Sequence, residues 1–209
     1  MESSPVSVVG KRLRSLNILL AGVGGQGTLL ASDVISLLGM EAGYDVKKSE
    51  VHGMAQRGGS VVSHVRWGTR VRSPLIEPGS ADVVVAFERL EALRHLQMLA
   101  PKGIMLVSDY RIVPMSVTCG GEEYPDEPAE ESLYAAAGVR PLYFPARQLA
   151  ADLGNLRVNN VVLLGALSAL LPIGEEQWLA VVERRVPARS VAQNRRAFAA
   201  GRSAVSGRL

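Results

Sequence analysis

The chain has 209 residues, 47% of them hydrophobic and only 5% aromatic, which supports one compact core. A formal charge of +3 and a pI of about 9.2 are a mild excess of base. Aromatic residues are not interleaved with the basic ones as a single-strand nucleic-acid surface requires, so nucleic acid is not an expected partner. The single cysteine, Cys119, excludes an internal disulfide, a cysteine-rich zinc site and an iron–sulfur cluster held by this chain alone.

The first 15 residues are polar and basic and lack the apolar stretch of a signal peptide. The stretch "LNILLAGVGGQGTLLASDVISLLGMEAGYDV" then presents a short apolar run, a glycine cluster and an apolar pattern at helical spacing. This predicts a strand at 16–21, a tight turn at 22–27, a helix from 28 to about 42 stopped by Gly43, and a second strand from 46. Such a unit favours two paired parallel strands with a right-handed crossover.

Residues 60–67 alternate and are rich in valine, and 71–76 follow after "GT", predicting extended strands or a hairpin that Pro74 and Pro78 end. "ADVVVAF" is a buried strand at 81–87, followed by a helix at 88–99, a "PKG" turn and a strand at 103–109. The segment 120–131, "GGEEYPDEPAEE", reads as a solvated surface loop, because its acids and prolines offer no core. A short strand at 142–144 and a helix at 146–153 complete the layered pattern.

Helices are then predicted at 158–171, 175–185 and 191–201. The first is apolar nearly all round, with Gly165, Ala166, Ser168 and Ala169 allowing close approach, so it is either central to its own core or pressed against another chain. Its longest apolar run, 161–171, falls short of the roughly 20 residues that cross a bilayer, so no membrane span is expected and the location is read as cytoplasmic. After Glu183 the only charged side chains are arginines, a basic tail that reads as solvated or as a docking surface for an acidic partner. The fold class is thus α/β: a Rossmann-like layered sheet of mostly parallel strands flanked by helices, with a helical C-terminal part. A single domain over 1–209 is expected, with the α/β core at 16–157 and the C-terminal helices at 158–201.

Two stretches carry candidate chemistry. Gly22, Gly24 and Gly27 satisfy G-x-G-x-x-G after a strand and before a helix, with Gly25 and Gln26 between them. Glycines there admit positive φ and close approach, and a helix N-terminus attracts an anion, so the turn is a possible phosphate site. The same turn also serves wherever a strand must reverse into a packed helix. Glu50, 23 positions after Gly27, falls where a dinucleotide-binding fold keeps its ribose-binding acid.

The second stretch, "EVHGMAQRGG", gathers Glu50, His52, Gln56, Arg57, Gly58 and Gly59. Arg57 offers fork-like donors to a carboxylate or phosphate, the two glycines leave the adjoining backbone unobstructed, and His52 is a candidate proton carrier that Glu50 orients. An internal Glu50–Arg57 salt bridge is the plainer alternative. His64 reads as a structural residue on a sheet face, and Cys119 as a passive thiol. No G-x-S-x-G, metalloprotease motif or P-loop is present, so no self-contained catalytic apparatus is visible.

Taken together, "NILLAGVGGQGTLLAS", "SEVHGMAQRGGSVVSHVRWG", "SPLI", "ADVVVAFERLEALR" and "NNVVLLGALSALL" resemble the beta subunit of indolepyruvate ferredoxin oxidoreductases. That subunit is equivalent to the gamma subunit or domain of the wider 2-oxoacid:ferredoxin oxidoreductases. The resemblance implies oxidative decarboxylation of an aryl 2-oxoacid with coenzyme A to an acyl-CoA, carbon dioxide and reduced ferredoxin. It places thiamine diphosphate, Mg and [4Fe-4S] clusters on a large alpha subunit, with two copies of each subunit in the assembly and no cofactor bound by this chain alone. Residues 50–59 would then face the partner, the substrate or coenzyme A, and the 22–27 turn would support that face or bind a phosphate of coenzyme A. A standalone Rossmann-type nucleotide-binding protein is the alternative.

Overall fold

Period-two burial builds the sheet. The computed structural model of the chain describes residues 15–52, 59–121 and 123–206. In chain order the elements are β1 (Ser15–Val23), α1 (Thr28–Glu41), β2 (Asp45–His52), β3 (Ser60–Gly68), β4 (Ala81–Ala86), α2 (Arg89–Arg94), β5 (Leu99–Ser108) and α3 (Met115–Thr118). They continue as α4 (Glu127–Ala136), β6 (Leu142–Phe144), α5 (Ala146–Asp152), α6 (Asn159–Leu170), α7 (Glu175–Arg185) and α8 (Val191–Ser206).

The sheet has the order β2-β3-β1-β4-β5-β6. β1, β4, β5 and β6 are successively parallel, and β3 runs antiparallel to both β1 and β2. Among the described strands, therefore, only β3 opposes the common direction, and the sheet is mostly parallel as its sequence predicts. The expected pairing of β1 with β2 does not form, because β3 sits between them. The reason lies in side-chain burial: Val61, Val62, Val65 and Trp67 of β3 are buried, as an inner strand requires, whereas β2 carries exposed Lys47 and Lys48 and takes the edge. The hairpin partner of β3 is consequently β2, and residues 71–76 form no strand.

Alternate side chains feed two cores. Leu16, Ile18 and Leu20 of β1, Val65 and Trp67 of β3, Val83 and Val85 of β4 and Leu106 of β5 pack with α1, α5, α6, α7 and α8. On the other face Leu19, Val62, Val84, Ala86, Met105 and Val107 pack with Ala92 of α2 and Tyr134 of α4. Helix α1 thus leaves β1 toward one face and α2 leaves β4 toward the other, although β1 and β4 are neighbours. The carboxyl ends of these two strands form the switch point at which open α/β sheets admit ligands.

Three local expectations change. The helix predicted at 88–99 stops at Arg94 and passes through a 3₁₀ turn (Leu96–Met98) into β5. The "PKG" turn lies inside β5 as a register break, with Ala81 opposite Leu99 and Val83 opposite Ile104, and Lys102 holds φ 67°. The acidic segment is not all loop: Asp126 caps α4 by accepting from the Ala129 amide at 2.9 Å, and Glu130 and Tyr134 on its inner side are buried.

The apolar C-terminal helix proves central. Gly165 of α6 and Gly201 of α8 let the two backbones touch: a Cβ on Gly165 would lie 2.0 Å from the Phe198 carbonyl oxygen, and one on Gly201 1.9 Å from that of Val162. The basic tail folds as α8 and extends to Ser206. Its arginines turn inward as well as outward, Arg202 donating to Ser168 Oγ at 2.9 Å and pairing with Glu175. Arg184 and Arg185 pair with Glu41 and Asp33 of α1. No helix among the described residues is long and apolar enough to cross a membrane.

Candidate functional site

Gly22 and Val23 belong to β1, and the chain reverses over Gly24, Gly25, Gln26 and Gly27 before α1 begins. The positive φ angles fall on Gly25 (100°) and Gly27 (83°), the latter acting as the left-handed N-cap of α1. No side chain caps this N-terminus and its first turn carries no acid. Space above Gly25 is open, since a Cβ there would meet nothing within 4 Å. The backbone therefore presents the geometry that receives an anion.

Gln26 does something its sequence context does not disclose. Its Oε1 accepts from the Val23 amide at 2.7 Å while its Nε2 donates to the Phe87 carbonyl at 3.0 Å. Together with the Phe87 amide donating to the Ala21 carbonyl at 2.8 Å, the amide side chain ties the carboxyl ends of β1 and β4 together at the switch point. The turn is closed from a third side by Asn160 of α6, buried against Gly27: a Cβ on Gly27 would lie 2.5 Å from Asn160 Nδ2. The pair of asparagines that opens the otherwise apolar α6 was the available signal for this contact.

The last residue of the second motif comes to the same place. The Gly24 amide donates to the Gly59 carbonyl at 2.9 Å, so the last residue of the "EVHGMAQRGG" stretch is hydrogen-bonded to the first residue of the glycine turn. Gln56, Arg57 and Gly58 lie outside the described residues. His52 ends β2 with its backbone opposite Val61. Glu50 sits on β2 opposite Ser63, which in turn lies beside Leu20 of β1. Its carboxylate accepts from Lys48 Nζ at 2.8 Å, and the same ammonium reaches Asp33 of α1 at 2.5 Å. Burial alone would lower the Lys48 pKa, but Asp33 and Glu50 together hold it above the ordinary lysine value. Glu50 is two strands from β1, about 10 Å across the sheet, and cannot serve the glycine turn as a ribose-binding acid does in a dinucleotide fold, where the two strands are adjacent.

The same end of the sheet is ringed by apolar side chains in solvent. They are Leu29 in the first turn of α1, Val51 near the end of β2, Val113 and Met115 in the segment after β5, and Leu156 ahead of α6. Met115 is 80% exposed. Among the described residues, five of the eight large exposed hydrophobic ones gather at this one end, which distinguishes it from a scatter of single surface residues.

The segment bearing Val113 and Met115 is anchored by a buried acid. Glu88 follows β4 and accepts from the Glu91 amide at 3.0 Å, the Ile112 amide at 3.0 Å and the Tyr124 hydroxyl. Burial, then the Glu88 carboxylate, pushes the Tyr124 phenol well above its ordinary value. Glu88 was legible only as the N-cap of a helix, in the spacing Glu88 to Glu91. His64 is buried and accepts from the Ile76 amide at Nδ1, 3.1 Å, a structural role as its position predicts. Cys119 is exposed. Among the described residues no group of three or more His, Cys, Asp or Glu could hold a metal ion.

The family model described as pyruvate ferredoxin/flavodoxin oxidoreductase matches residues 17–204. The chain is 38% identical to the indolepyruvate oxidoreductase subunit IorB of Thermococcus kodakarensis, covering 90% of this chain and 95% of that one. It is 39% identical to the protein of the same name from Archaeoglobus fulgidus, covering 92% and 97%. Among solved structures it is similar to 2-oxoglutarate:ferredoxin oxidoreductase from Magnetococcus marinus with 2-oxoglutarate, coenzyme A and succinyl-CoA bound. The TM-score is 0.70 at 26% identity, over 95% of this chain and 32% of that longer one.

Proposed function

The chain belongs to the pyruvate ferredoxin/flavodoxin oxidoreductase family, and from that premise we propose that it is the cluster-free subunit of an indolepyruvate:ferredoxin oxidoreductase. The complex oxidatively decarboxylates an aryl 2-oxoacid with coenzyme A, releasing an acyl-CoA and carbon dioxide and passing the electrons to ferredoxin. Thiamine diphosphate, Mg and [4Fe-4S] clusters reside on a large partner chain in a cytoplasmic complex with two copies of each subunit. The present chain contributes a docking and positioning face. A single cysteine is what that division of labour requires of this chain.

The observation that carries the reading is the Gly24–Gly59 hydrogen bond. It extends the β1–β3 ladder one rung beyond Val23 and Ser60 and so brings the two sequence motifs together at the one end of the sheet where exposed apolar side chains cluster. A partner covers that end, Leu29, Val51, Val113 and Met115 supply the apolar contacts, and residues 50–59 meet the partner, substrate or coenzyme A, with Arg57 as the anion contact. The uncapped start of α1 receives a phosphate of coenzyme A. The nucleotide-binding alternative loses its acid, because Glu50 lies on the edge strand.

The test is co-expression with the large thiamine-bearing chain and measurement of viologen reduction by indolepyruvate and coenzyme A, with and without this chain. Activity that requires both chains is expected. A large chain fully active alone, or one that does not associate with this chain, would overturn the assignment.

A further inference from the structure

Away from the glycine turn, on the opposite face of the sheet, α4, the 138–141 connection and β6 enclose a cleft of about 720 Å³, within the range that holds small organic ligands. Its apolar wall is Tyr134, Ala135, Val139, Pro141 and Tyr143, the two tyrosine rings meeting edge to face at 6.3 Å between centroids. At its base Arg89 lies over the Tyr143 ring at 4.5 Å and is held by Asp109 at 2.7 Å and by buried Glu130 at 2.9 Å. Glu130 also takes Arg111 at 3.3 Å and the Tyr143 hydroxyl at 3.2 Å. These charges are consumed internally, and they fix the cleft's shape without any ligand.

Arg140 and Glu131 are different. Both line the cleft and both are exposed, and neither takes part in the network that holds Arg89 and Glu130. The cleft therefore offers one unconsumed guanidinium and at least one unconsumed carboxylate beside an aromatic and aliphatic wall. Two guanidiniums against three carboxylates leave the lining with one net negative charge. A polyanion such as a nucleotide or coenzyme A is repelled, and a simple carboxylate meets more acid than base. A zwitterion answers both groups.

We propose that this cleft binds a free α-amino acid with an aromatic or branched side chain. Its carboxylate pairs with Arg140, its ammonium with Glu131, and its side chain lies on the Tyr134–Pro141–Tyr143 wall. The site is independent of the partner-facing end and makes this chain the place where an amino acid bears on the assembly.

The experiment is isothermal titration of the full-length chain with L-phenylalanine, 3-phenylpropionate and 2-phenylethylamine, which share a ring and differ in charged groups. L-Phenylalanine is expected to bind, with 3-phenylpropionate and 2-phenylethylamine each at least about tenfold weaker. Arg140→Ala and Glu131→Gln should each weaken the amino acid at least about tenfold, and Ala135→Trp, on the exposed side of α4, should fill the cleft and abolish binding while the thermal transition is retained. No heat with L-phenylalanine, equal binding of the amine or the acid, or binding that survives Ala135→Trp in the folded chain would each overturn the proposal.

Discussion

The side-chain amide of Gln26 spans two parallel strands, accepting from Val23 at 2.7 Å and donating to the Phe87 carbonyl at 3.0 Å. Each bond serves a backbone group that would otherwise be left at the end of its strand, at the point where the helices diverge to opposite faces of the sheet. Replacing Gln26 by Leu leaves both unsatisfied, so a loss of about 1–3 kcal/mol per buried group is expected in urea denaturation. Gln26→Glu keeps the acceptor and loses the donor, and should fall between wild type and Gln26→Leu. Equal stability of all three would mean that the clamp contributes nothing.

The α6–α8 crossing makes a sharper prediction. A methyl group at Gly165 must displace the Phe198 carbonyl, and one at Gly201 the Val162 carbonyl. Backbone cannot move aside as a flexible side chain does, so Gly165→Ala and Gly201→Ala should each cost at least the roughly 1–3 kcal/mol of an overpacked core. Chemical denaturation of either variant measures it, and a gain in stability from the better helix former would show the crossing to be looser than described.

Breaking the Arg89–Glu130 pair strands buried charge. Glu130→Ala removes the carboxylate that serves Arg89, Arg111 and the Tyr143 hydroxyl. Burial works against the Arg89 charge, yet Asp109 and Glu130 keep its pKa above the ordinary arginine value. A destabilisation of about 3–5 kcal/mol is expected from leaving the guanidinium without its inner partner, with Glu130→Gln closer to wild type because it keeps an acceptor.

Met115 tests the docking face. The residue is 80% exposed and belongs to neither hydrophobic core, so Met115→Glu should leave the stability within about 0.5 kcal/mol of wild type. In the assembled complex the same change should lower affinity for the large chain at least about tenfold, read by titration or co-purification yield. Undiminished association would remove this residue from the interface.

His64 contributes, alongside His95 whose pKa burial also lowers, to the pH dependence of stability. Burial, and then the nearby His95, lowers its pKa, and its Nδ1 must stay unprotonated to accept from Ile76. The stabilisation is therefore complete above the unfolded-state value of about 6.5 and is lost as pH falls below it toward the depressed folded value, where the unfolded chain takes up a proton that the folded chain refuses. Denaturation midpoints should decline between pH 7.5 and 5.5, and His64→Asn, which keeps an acceptor but does not titrate, should flatten that decline.

Local elements were legible wherever local chemistry decides them. The alternating pattern of β3, the valine run of β4, the glycine turn before α1 and the limits of α7 stand in the structure where the sequence places them, because period, glycine and proline act within a few residues of themselves. The acidic segment misled because α4 is stabilised from outside: Arg89 and Arg111, far away in sequence, neutralise Glu130 and draw its helix onto the sheet. Likewise the positive φ angles fall on Gly25 and Gly27 and not on Gly24, a choice set by the hydrogen bonds of Gln26 and Gly59 that no spacing rule contains.

By itself, then, the sequence determined the class of fold, the order of the elements, the two glycine-bearing motifs and the inability of a one-cysteine chain to carry a cluster, all of which depend on composition and short-range pattern. Tertiary structure alone decided that β3 enters between β1 and β2, which moves Glu50 to the sheet edge, and that Gly24 and Gly59 meet. Strand order is chosen by which strand can bury both of its faces, and that comparison exists only when all six strands compete for the same core.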